Sequence, residues 1–375
     1  MPKKPDPWHY ARKDTAARTF ALIDKRLASA LVLFGPRRTG KTEFLLRDLG
    51  PLAEKAGHRV VYVSFWQAPL SPAATLIAAL DHALKHGSLA EQLKRAAQSV
   101  SPRVKVSGGG VAGEVELARL PEQPPQDVLL AMDALLGKLA RKGKPTLLMF
   151  DEVQELALND KNRPLVAALR TSLDKRRDSL AAVFTGSSRE GLAAMFSDSA
   201  APFFHYATQI DLEPLGPPFV EHLLGAFENA TGERLDSKQA HAAFEQLHRS
   251  PYFFRMLLEQ LLPLPQRDIP AALTHLREGL AASLGYDRLW LSLTDAQRAL
   301  AAMLARGAKA PFGEENRIGL GRLMRAPAPP SIAQTQSALR RLTRLGVVTG
   351  GGRAGWTFDD PELARWIAAL PDESI

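Results

Sequence analysis

The chain of 375 residues contains no cysteine, which excludes disulfide bonds, thiol catalysis and thiolate metal ligands. It has no apolar run that approaches the roughly 18 residues of a membrane-spanning helix, so no membrane partner is expected. The N-terminal segment, Met1 to Pro7, is charged and rich in proline but has no apolar stretch, unlike a signal peptide. These absences together predict a cytoplasmic protein.

Acidic residues are missing from one long stretch near the C-terminus. Between Asn316 and Phe358 the sequence contains seven arginines and neither aspartate nor glutamate. The whole chain carries a formal net charge of +8, which indicates a polyanionic partner. The apolar fraction of 45% is ordinary for a globular protein, and the length suffices for two or three domains with a sizeable core.

A motif rich in glycine follows a short apolar strand at residues 31–34. Its eight residues read Gly-Pro-Arg-Arg-Thr-Gly-Lys-Thr, the G-x-x-x-x-G-K-T pattern of a phosphate-binding loop. The two glycines let the backbone turn tightly, so that successive N–H groups point at a β-phosphate. The residues predicted to contact the nucleotide are Gly35, Pro36, Arg37, Arg38, Thr39, Gly40, Lys41, Thr42 and Glu43.

Three residues at the end of this motif have separate predicted roles. Lys41 is expected to reach the β- and γ-phosphates of ATP, and the Thr42 hydroxyl to ligate Mg²⁺. From Glu43 onward the sequence predicts a helix whose positive N-terminal end faces the phosphates. ATP and Mg²⁺ are therefore the expected ligands.

A second apolar strand ends in two carboxylates. After Thr146, residues 147–150 are all apolar, as expected for a parallel strand buried on both faces. Asp151 and Glu152 follow directly. Asp151 is predicted to hold Mg²⁺ through water, and Glu152 to act as the general base that polarises the attacking water. The alternative is a core strand that happens to end at a surface Asp-Glu pair.

Further apolar strands are predicted at residues 59–65, 181–188 and 208–212. With these elements in place, the chain resembles the prokaryotic and archaeal-type P-loop ATPases near the AAA+ and STAND groups, and more distantly the origin-recognition ATPases. The resemblance covers the order of elements over roughly residues 15–370. Its specific motifs lie in the ATPase core: GPRRTGKT, FDEVQEL, FTGSS and the segment Ala201 to Phe204.

This resemblance implies the additional-strand catalytic-glutamate division, in which a strand with a polar tip lies between the loop strand and the acid strand. Ser187 or Ser188 would then lie beside the γ-phosphate as a sensor. Relatives often carry an arginine just before the fifth strand as a finger for a neighbouring subunit, but residues 203–207 contain none. Arg189 is the substitute candidate for contact with phosphate or a second subunit; its alternative is a solvated arginine at a helix start.

The C-terminal part resembles a winged helix. Helices are predicted from Thr294 to Arg306, from Ile318 to Met324 and after Ser331, followed by two short wing strands around residues 350–353. The third helix and the wing tip supply the predicted contacts to double-stranded DNA: Arg340, Arg341, Arg344 and Arg353. A winged helix used for protein contacts, or a solvated basic face, is the alternative.

The predicted fold class is α/β: a P-loop NTPase parallel sheet with flanking helices, a helical lid and a C-terminal winged-helix domain. The expected domains are residues 1–212, with a hairpin insertion at about 101–120, then the lid at 213–290 and the winged helix at 291–375.

The predicted function is that of an ATP-hydrolysing switch that acts on DNA. Its ATP hydrolysis is expected to be slow or to be stimulated by a partner. One alternative is a STAND-like signalling ATPase whose winged helix docks on the ATPase core or on a partner protein. The expected partners besides ATP and DNA are a protein or a second copy of the chain. The other is a DNA-binding regulator that binds ATP without turning it over.

Overall fold

The computed structural model describes residues 6–66, 71–86, 88–92, 126–141, 143–157, 159–187, 189–263, 267–350 and 355–375. The predicted hairpin at about 101–120 lies outside these residues. Strands in the described chain are β1 (Ala30–Phe34), β2 (Arg59–Ser64), β3 (Thr146–Asp151), β4 (Leu180–Thr185), β5 (Thr208–Asp211), β6 (Val348–Gly350) and β7 (Trp356–Phe358).

The helices of the N-terminal half alternate with strands β1 to β5, which is the pattern of an α/β fold. One of them, α2, follows the phosphate loop and consists of Lys41–Glu43, a π-helical stretch Phe44–Leu49 and Gly50–Lys55. The others are α1 (Lys13–Asp24), α3 (Pro72–His86), α4 (Gln126–Arg141), α5 (Arg163–Asp174) and α6 (Arg189–Phe196).

The C-terminal half consists mostly of helices, with β6 and β7 as a small antiparallel pair. Polar caps define several helix starts; Ser250, for example, accepts from the backbone of Phe253, with proline at the next position. The helices are α7 (Pro217–Thr231), α8 (Ser237–Gln246), α9 (Pro251–Leu261), α10 (Ile269–Ser283), α11 (Tyr286–Ser292), α12 (Asp295–Ala305), α13 (Glu314–Leu323), α14 (Ile332–Arg344) and α15 (Pro361–Ala368).

The five long strands form one parallel sheet in the order β2-β3-β4-β1-β5. Strand β4 therefore lies between the loop strand β1 and the acid strand β3, which confirms the predicted order. Register brings Leu33 level with Thr185, and Phe150 level with Phe184. Because all five strands point the same way, the phosphate loop, the two acids and the polar end of β4 meet at one edge of the sheet.

Side chains alternate along each strand and bury a separate core on each face of the sheet. On β1, Val32 packs with Phe150 and Phe184 on one face, whereas Leu31 and Leu33 pack with the first helices on the other. A third core is a single cluster of buried side chains whose members lie between Leu215 and Ile367 in the sequence. The lid and the C-terminal helices therefore share one core. Among the described helices, none has the length and apolar character needed to cross a membrane.

Candidate nucleotide-binding site

The phosphate loop closes on itself around the Lys41 side chain. Gly40 has φ of 86°, a left-handed conformation that favours glycine, and it directly precedes α2. Lys41 is buried, and its Nζ donates to the carbonyl oxygens of Gly35 at 2.7 Å and Pro36 at 2.6 Å. The lysine is therefore already turned back over the loop, toward the space where phosphates would lie.

Burial of this lysine changes its chemistry. Desolvation lowers the pKa of Lys41 from 10.5 to about 8, although the carboxylates of Glu152 and Asp151 act in the opposite direction. An anion placed against the ammonium would favour its charged form. The carboxylates of Glu152 and Asp151 therefore do not fully offset the cost of burying the charged Lys41.

Asp151 is the centre of a polar cluster at the end of β3. One of its oxygens accepts from the Thr42 hydroxyl at 2.7 Å and the Tyr62 hydroxyl at 2.9 Å, and the other accepts from Thr185. Burial, reinforced by Asp151, raises the pKa of Tyr62 above its usual range, so Tyr62 stays a donor. The cluster therefore fixes the orientation of this carboxylate.

Thr42 and Asp151 present hard oxygen atoms side by side, which is the donor type that Mg²⁺ prefers. The donor set fits that ion, and these two residues are the ones that would hold it. When bound, Mg²⁺ supplies positive charge to the β- and γ-phosphate oxygens.

Glu152 adopts an unusual backbone conformation directly after β3. Its φ of 55° and ψ of 43° are left-handed, which is uncommon for a residue with a side chain. Its carboxylate accepts from the Ser187 hydroxyl at 2.7 Å and from the Ser187 backbone N–H at 3.3 Å, and also from the amide of Gln154. The predicted base is thus held by three donors, two from Ser187 just after β4 and one from Gln154 just after β3.

Gly186 makes room for this arrangement. A Cβ atom at residue 186 would lie 2.2 Å from Oε1 of Gln154 and 2.9 Å from a methyl carbon of Leu192. Only glycine therefore lets the buried Gln154 side chain pass between β4 and α6 toward Glu152.

A cavity of about 620 Å³ opens above the phosphate loop. The N-terminal segment and the helical lid supply most of its remaining walls, including Trp8, Tyr10, Phe219, Tyr252 and Arg255. Its mixture of aromatic and charged side chains suits a nucleotide base next to phosphates.

The N-terminal segment is fastened to this cavity by buried Asp48 on α2. Its carboxylate contacts Nε2 of His9 at 2.8 Å and accepts from the backbone N–H of Arg12 at 3.1 Å. Arg12 in turn donates to the carbonyl of Thr39 at 2.7 Å. A residue 27 positions before Thr39 therefore holds one backbone carbonyl of the loop.

Residues 20–216 match the ATPase_2 family, described as an ATPase domain predominantly from Archaea. That match spans more than half of the 375 residues. The chain belongs to this family.

Solved structures share this fold over almost the whole chain. The Walker-type ATPase PABY2304 of Pyrococcus abyssi has a TM-score of 0.64 at 15% identity, covering 96% of this chain and 99% of that one. The ORC2 protein of Aeropyrum pernix, solved as ADPNP-ADP complexes, has a TM-score of 0.59 at 14% identity, with coverages of 98% and 96%. The Aeropyrum pernix ORC1 protein in complex with DNA has a TM-score of 0.50 at 15% identity, with coverages of 97% and 94%. No curated protein matches the sequence.

Within this archaeal-type ATPase, the predicted sensor, Ser187 or Ser188, and the predicted arginine finger, Arg189, lie just after β4. Ser187 contacts Glu152 as described, whereas Ser188 and the side chain of Arg189 lie outside the described residues. The segment before β5 has aromatic residues where relatives often have an arginine: Phe203 is fully buried and stacks on Phe196. Phe203 serves as core packing, and the role of Arg189 in contacting phosphate or a second subunit stays a prediction.

Three of the four arginines predicted to bind DNA lie on α14, beside a cleft that Arg37 of the phosphate loop also lines. Arg340, Arg341 and Arg344 are all exposed on α14, and Arg353 lies outside the described residues. Arg340 and Arg344 line a second cavity of about 620 Å³, whose opposite wall includes Glu155 of the ATPase core. The basic helix thus faces a cleft between the two halves of the chain.

Several residues of the site were not predicted from the sequence. Tyr62 and Arg12 lie outside the recognised motifs. Gln154 and Thr185 lie inside the motifs FDEVQEL and FTGSS, but the sequence assigned neither of them a role.

Proposed function

We propose that this chain is an ATP-hydrolysing switch that binds double-stranded DNA through a C-terminal winged helix. The observation that carries the ATPase part is the convergence of Lys41, Thr42, Asp151, Glu152 and Ser187 at one edge of the sheet. Lys41 and Thr42 begin α2 after the loop that follows β1, and the other three residues lie at or just after the ends of β3 and β4. Each has the chemistry that phosphoryl transfer to water requires.

Each residue of that group has a separate part in the proposed reaction. Lys41 binds the β- and γ-phosphates, and its ammonium offsets the charge that develops on them. Glu152 accepts the proton of the attacking water after leaving the donors of Ser187 and Gln154. Because those donors occupy the carboxylate in this structure, we expect basal turnover to be slow.

The DNA-binding part rests on helix α14 and the elements around it. Helices α12, α13 and α14 followed by β6 and β7 have the order of a winged helix. A capping box of Ser331 and Gln334 fixes the start of α14, and Leu339 and Leu342 anchor its apolar face. Its exposed face then carries three arginines without an acidic neighbour on the helix. The ORC1 protein of Aeropyrum pernix, which shares the fold, has been solved with DNA.

The signalling alternative is favoured by a different observation. The basic helix faces the ATPase core across a cleft, and strand β6 lies against α6 of that core. A winged helix held in this way can bind a protein partner as well as DNA.

The test is the ATPase rate and DNA affinity of the parent, of the triple variant Arg340→Ala, Arg341→Ala, Arg344→Ala, and of a control with the same reduction of charge. Exposed arginines outside α14 provide that control: Arg177, Arg234 and Arg288. Fluorescence anisotropy with duplex DNA over a salt series gives the affinity and its salt slope. Binding through phosphates predicts a steep slope, which falls by about one for each phosphate that an arginine no longer neutralises.

We expect duplex DNA to raise the parent's ATPase rate, and the α14 triple variant to bind DNA more weakly and with a smaller slope while the control triple retains both. Basal ATPase activity without DNA should be nearly equal in all three proteins. Equal DNA affinity for the parent and the α14 variant would favour the alternative in which the winged helix contacts a protein. Absence of ATP turnover by the parent would favour the alternative of a regulator that binds ATP without hydrolysing it.

A further inference from the structure

One arginine of the phosphate loop is bound by the C-terminal half of the chain. Nη1 of Arg38 donates to Oδ2 of Asp360, which lies 322 residues later at the start of α15. The same carboxylate oxygen accepts from the Tyr286 hydroxyl at 2.6 Å. The Asp360 side chain is only 8% exposed, so this contact is largely shielded from solvent.

The surroundings hold Arg38 in a single orientation. Its guanidinium lies 4.9 Å from the ring centre of Phe253 and 5.6 Å from that of Tyr252, and Ser250 donates to its backbone carbonyl at 3.2 Å. Burial is the largest single effect and disfavours the cation, but Asp360 and Tyr286 together outweigh it, so the pKa of Arg38 is raised above its ordinary value. The backbone of Arg38 has φ of 60°, a left-handed conformation that costs free energy unless neighbours hold it.

A second arginine of the loop reaches the same region. The guanidinium of Arg37 and the carboxylate of Asp359 both lie next to Gly346, where a Cβ atom would be 2.9 Å and 3.6 Å from them. Asp359 is also among the charges that act on Lys41. Two consecutive aspartates of the C-terminal half therefore meet the loop that is predicted to bind phosphate.

We propose that Asp360 is a positioning residue for the phosphate loop, which draws Arg38 away from the nucleotide while the C-terminal half is docked. The inference rests on the proposed ATP site, because Arg38 also lines the cavity above the loop. A triphosphate carries several negative charges and attracts the same guanidinium. A single side chain does not satisfy both, so ATP and Asp360 compete for Arg38.

Competition of this kind is reciprocal. If docking of Asp360 weakens ATP binding by some factor, ATP weakens the docking by the same factor. The consequence is that ATP loosens residues 355–375 from the loop, and with them the helix that faces the core.

Asp360→Asn tests this directly. Asparagine removes the charge but keeps an oxygen that can accept from the Glu362 backbone, as Asp360 does at 3.2 Å, so the start of α15 is preserved. We expect its affinity for Mg-ATP, measured by titration of a fluorescent ATP analogue, to rise three- to tenfold. Tyr286→Phe removes one donor without changing charge, and a smaller rise is expected.

A double-mutant cycle separates competition from general loosening. In the Arg38→Ala background, Asp360→Asn should no longer change ATP affinity, because the contested guanidinium is absent. Asp372→Asn is the matched control, since it breaks an exposed ion pair with Arg306 in the same half of the chain and should leave affinity unchanged.

Hydrogen exchange gives a second readout. Amides of residues 355–375 should exchange faster in Asp360→Asn, and faster in the parent when ATP is bound. Unchanged or weaker ATP binding by Asp360→Asn, or the same gain in the Arg38→Ala background, would overturn the proposal. Failure of the parent itself to bind ATP would instead refute the ATP site on which it rests.

Discussion

The buried ammonium of Lys41 makes a quantitative prediction about pH. Its pKa of about 8 in the folded protein compares with an ordinary value of 10.5, and burial is the first cause of the difference. When ATP binds, the phosphates favour the charged lysine, so the complex retains the proton to higher pH. Above pH 8 the protein must therefore take up a proton as it binds ATP.

The size of the effect follows from this pKa. Each pH unit above about 8 lowers the fraction of charged Lys41 in the unbound protein roughly tenfold, equivalent to about 1.4 kcal/mol of binding free energy. ATP affinity should fall by less than about twofold between pH 7.5 and 8, by about five- to sixfold between pH 8 and 9, and by nearly tenfold over each further unit. Calorimetry in buffers of different ionisation enthalpy measures both the affinity and the proton uptake.

Folding stability should change in the opposite sense. Between pH 8 and 10.5 the unfolded chain binds more protons at Lys41 than the folded chain, so stability without nucleotide rises with pH in that window. At pH 7 the buried charge costs on the order of 3 kcal/mol. Lys41→Met should therefore stabilise the nucleotide-free protein against denaturant, by up to about that amount, while ATP binding is abolished. A pH-independent ATP affinity, together with a Lys41→Met variant no more stable than the parent, would refute this reasoning.

Three further predictions concern the residues around the loop. Glu152→Gln should bind ATP as the parent does but hydrolyse it about 10²-fold more slowly, which a single-turnover assay measures; turnover at the parent rate would contradict the assignment of the base. Asp151→Asn should weaken binding of Mg-ATP more than binding of ATP without the metal, and equal weakening of both in a Mg²⁺ titration would argue against its predicted role. Gly186→Ala forces a Cβ atom against Gln154 and should lower stability by about 1–3 kcal/mol, seen as a lower melting temperature; an unchanged value would show that the strand can relax.

The sequence predicted the elements that depend on short-range patterns. The continuous apolar residues of β1 and β3 indicated strands buried on both faces, and the glycine-lysine-threonine motif and acid pair at their ends placed two halves of one site. The start of α14 after Ser331 was predicted, because a capping residue acts within one helical turn. A helical lid over residues 213–290 was also predicted, but without the separate bounds of α10 and α11, which complete the core shared by the lid and the C-terminal helices.

What the sequence determined by itself is the chemistry of the loop, since Lys41, Thr42 and their glycines act through backbone geometry that neighbours in the chain impose. The tertiary structure decided which distant groups surround that chemistry. Ser187 reaches Glu152 only because β4 lies beside β3, and Asp360 reaches Arg38 only because the C-terminal half packs against the ATPase core. Such pairings have no spacing to read, because they depend on how complete elements pack rather than on the order of residues within one.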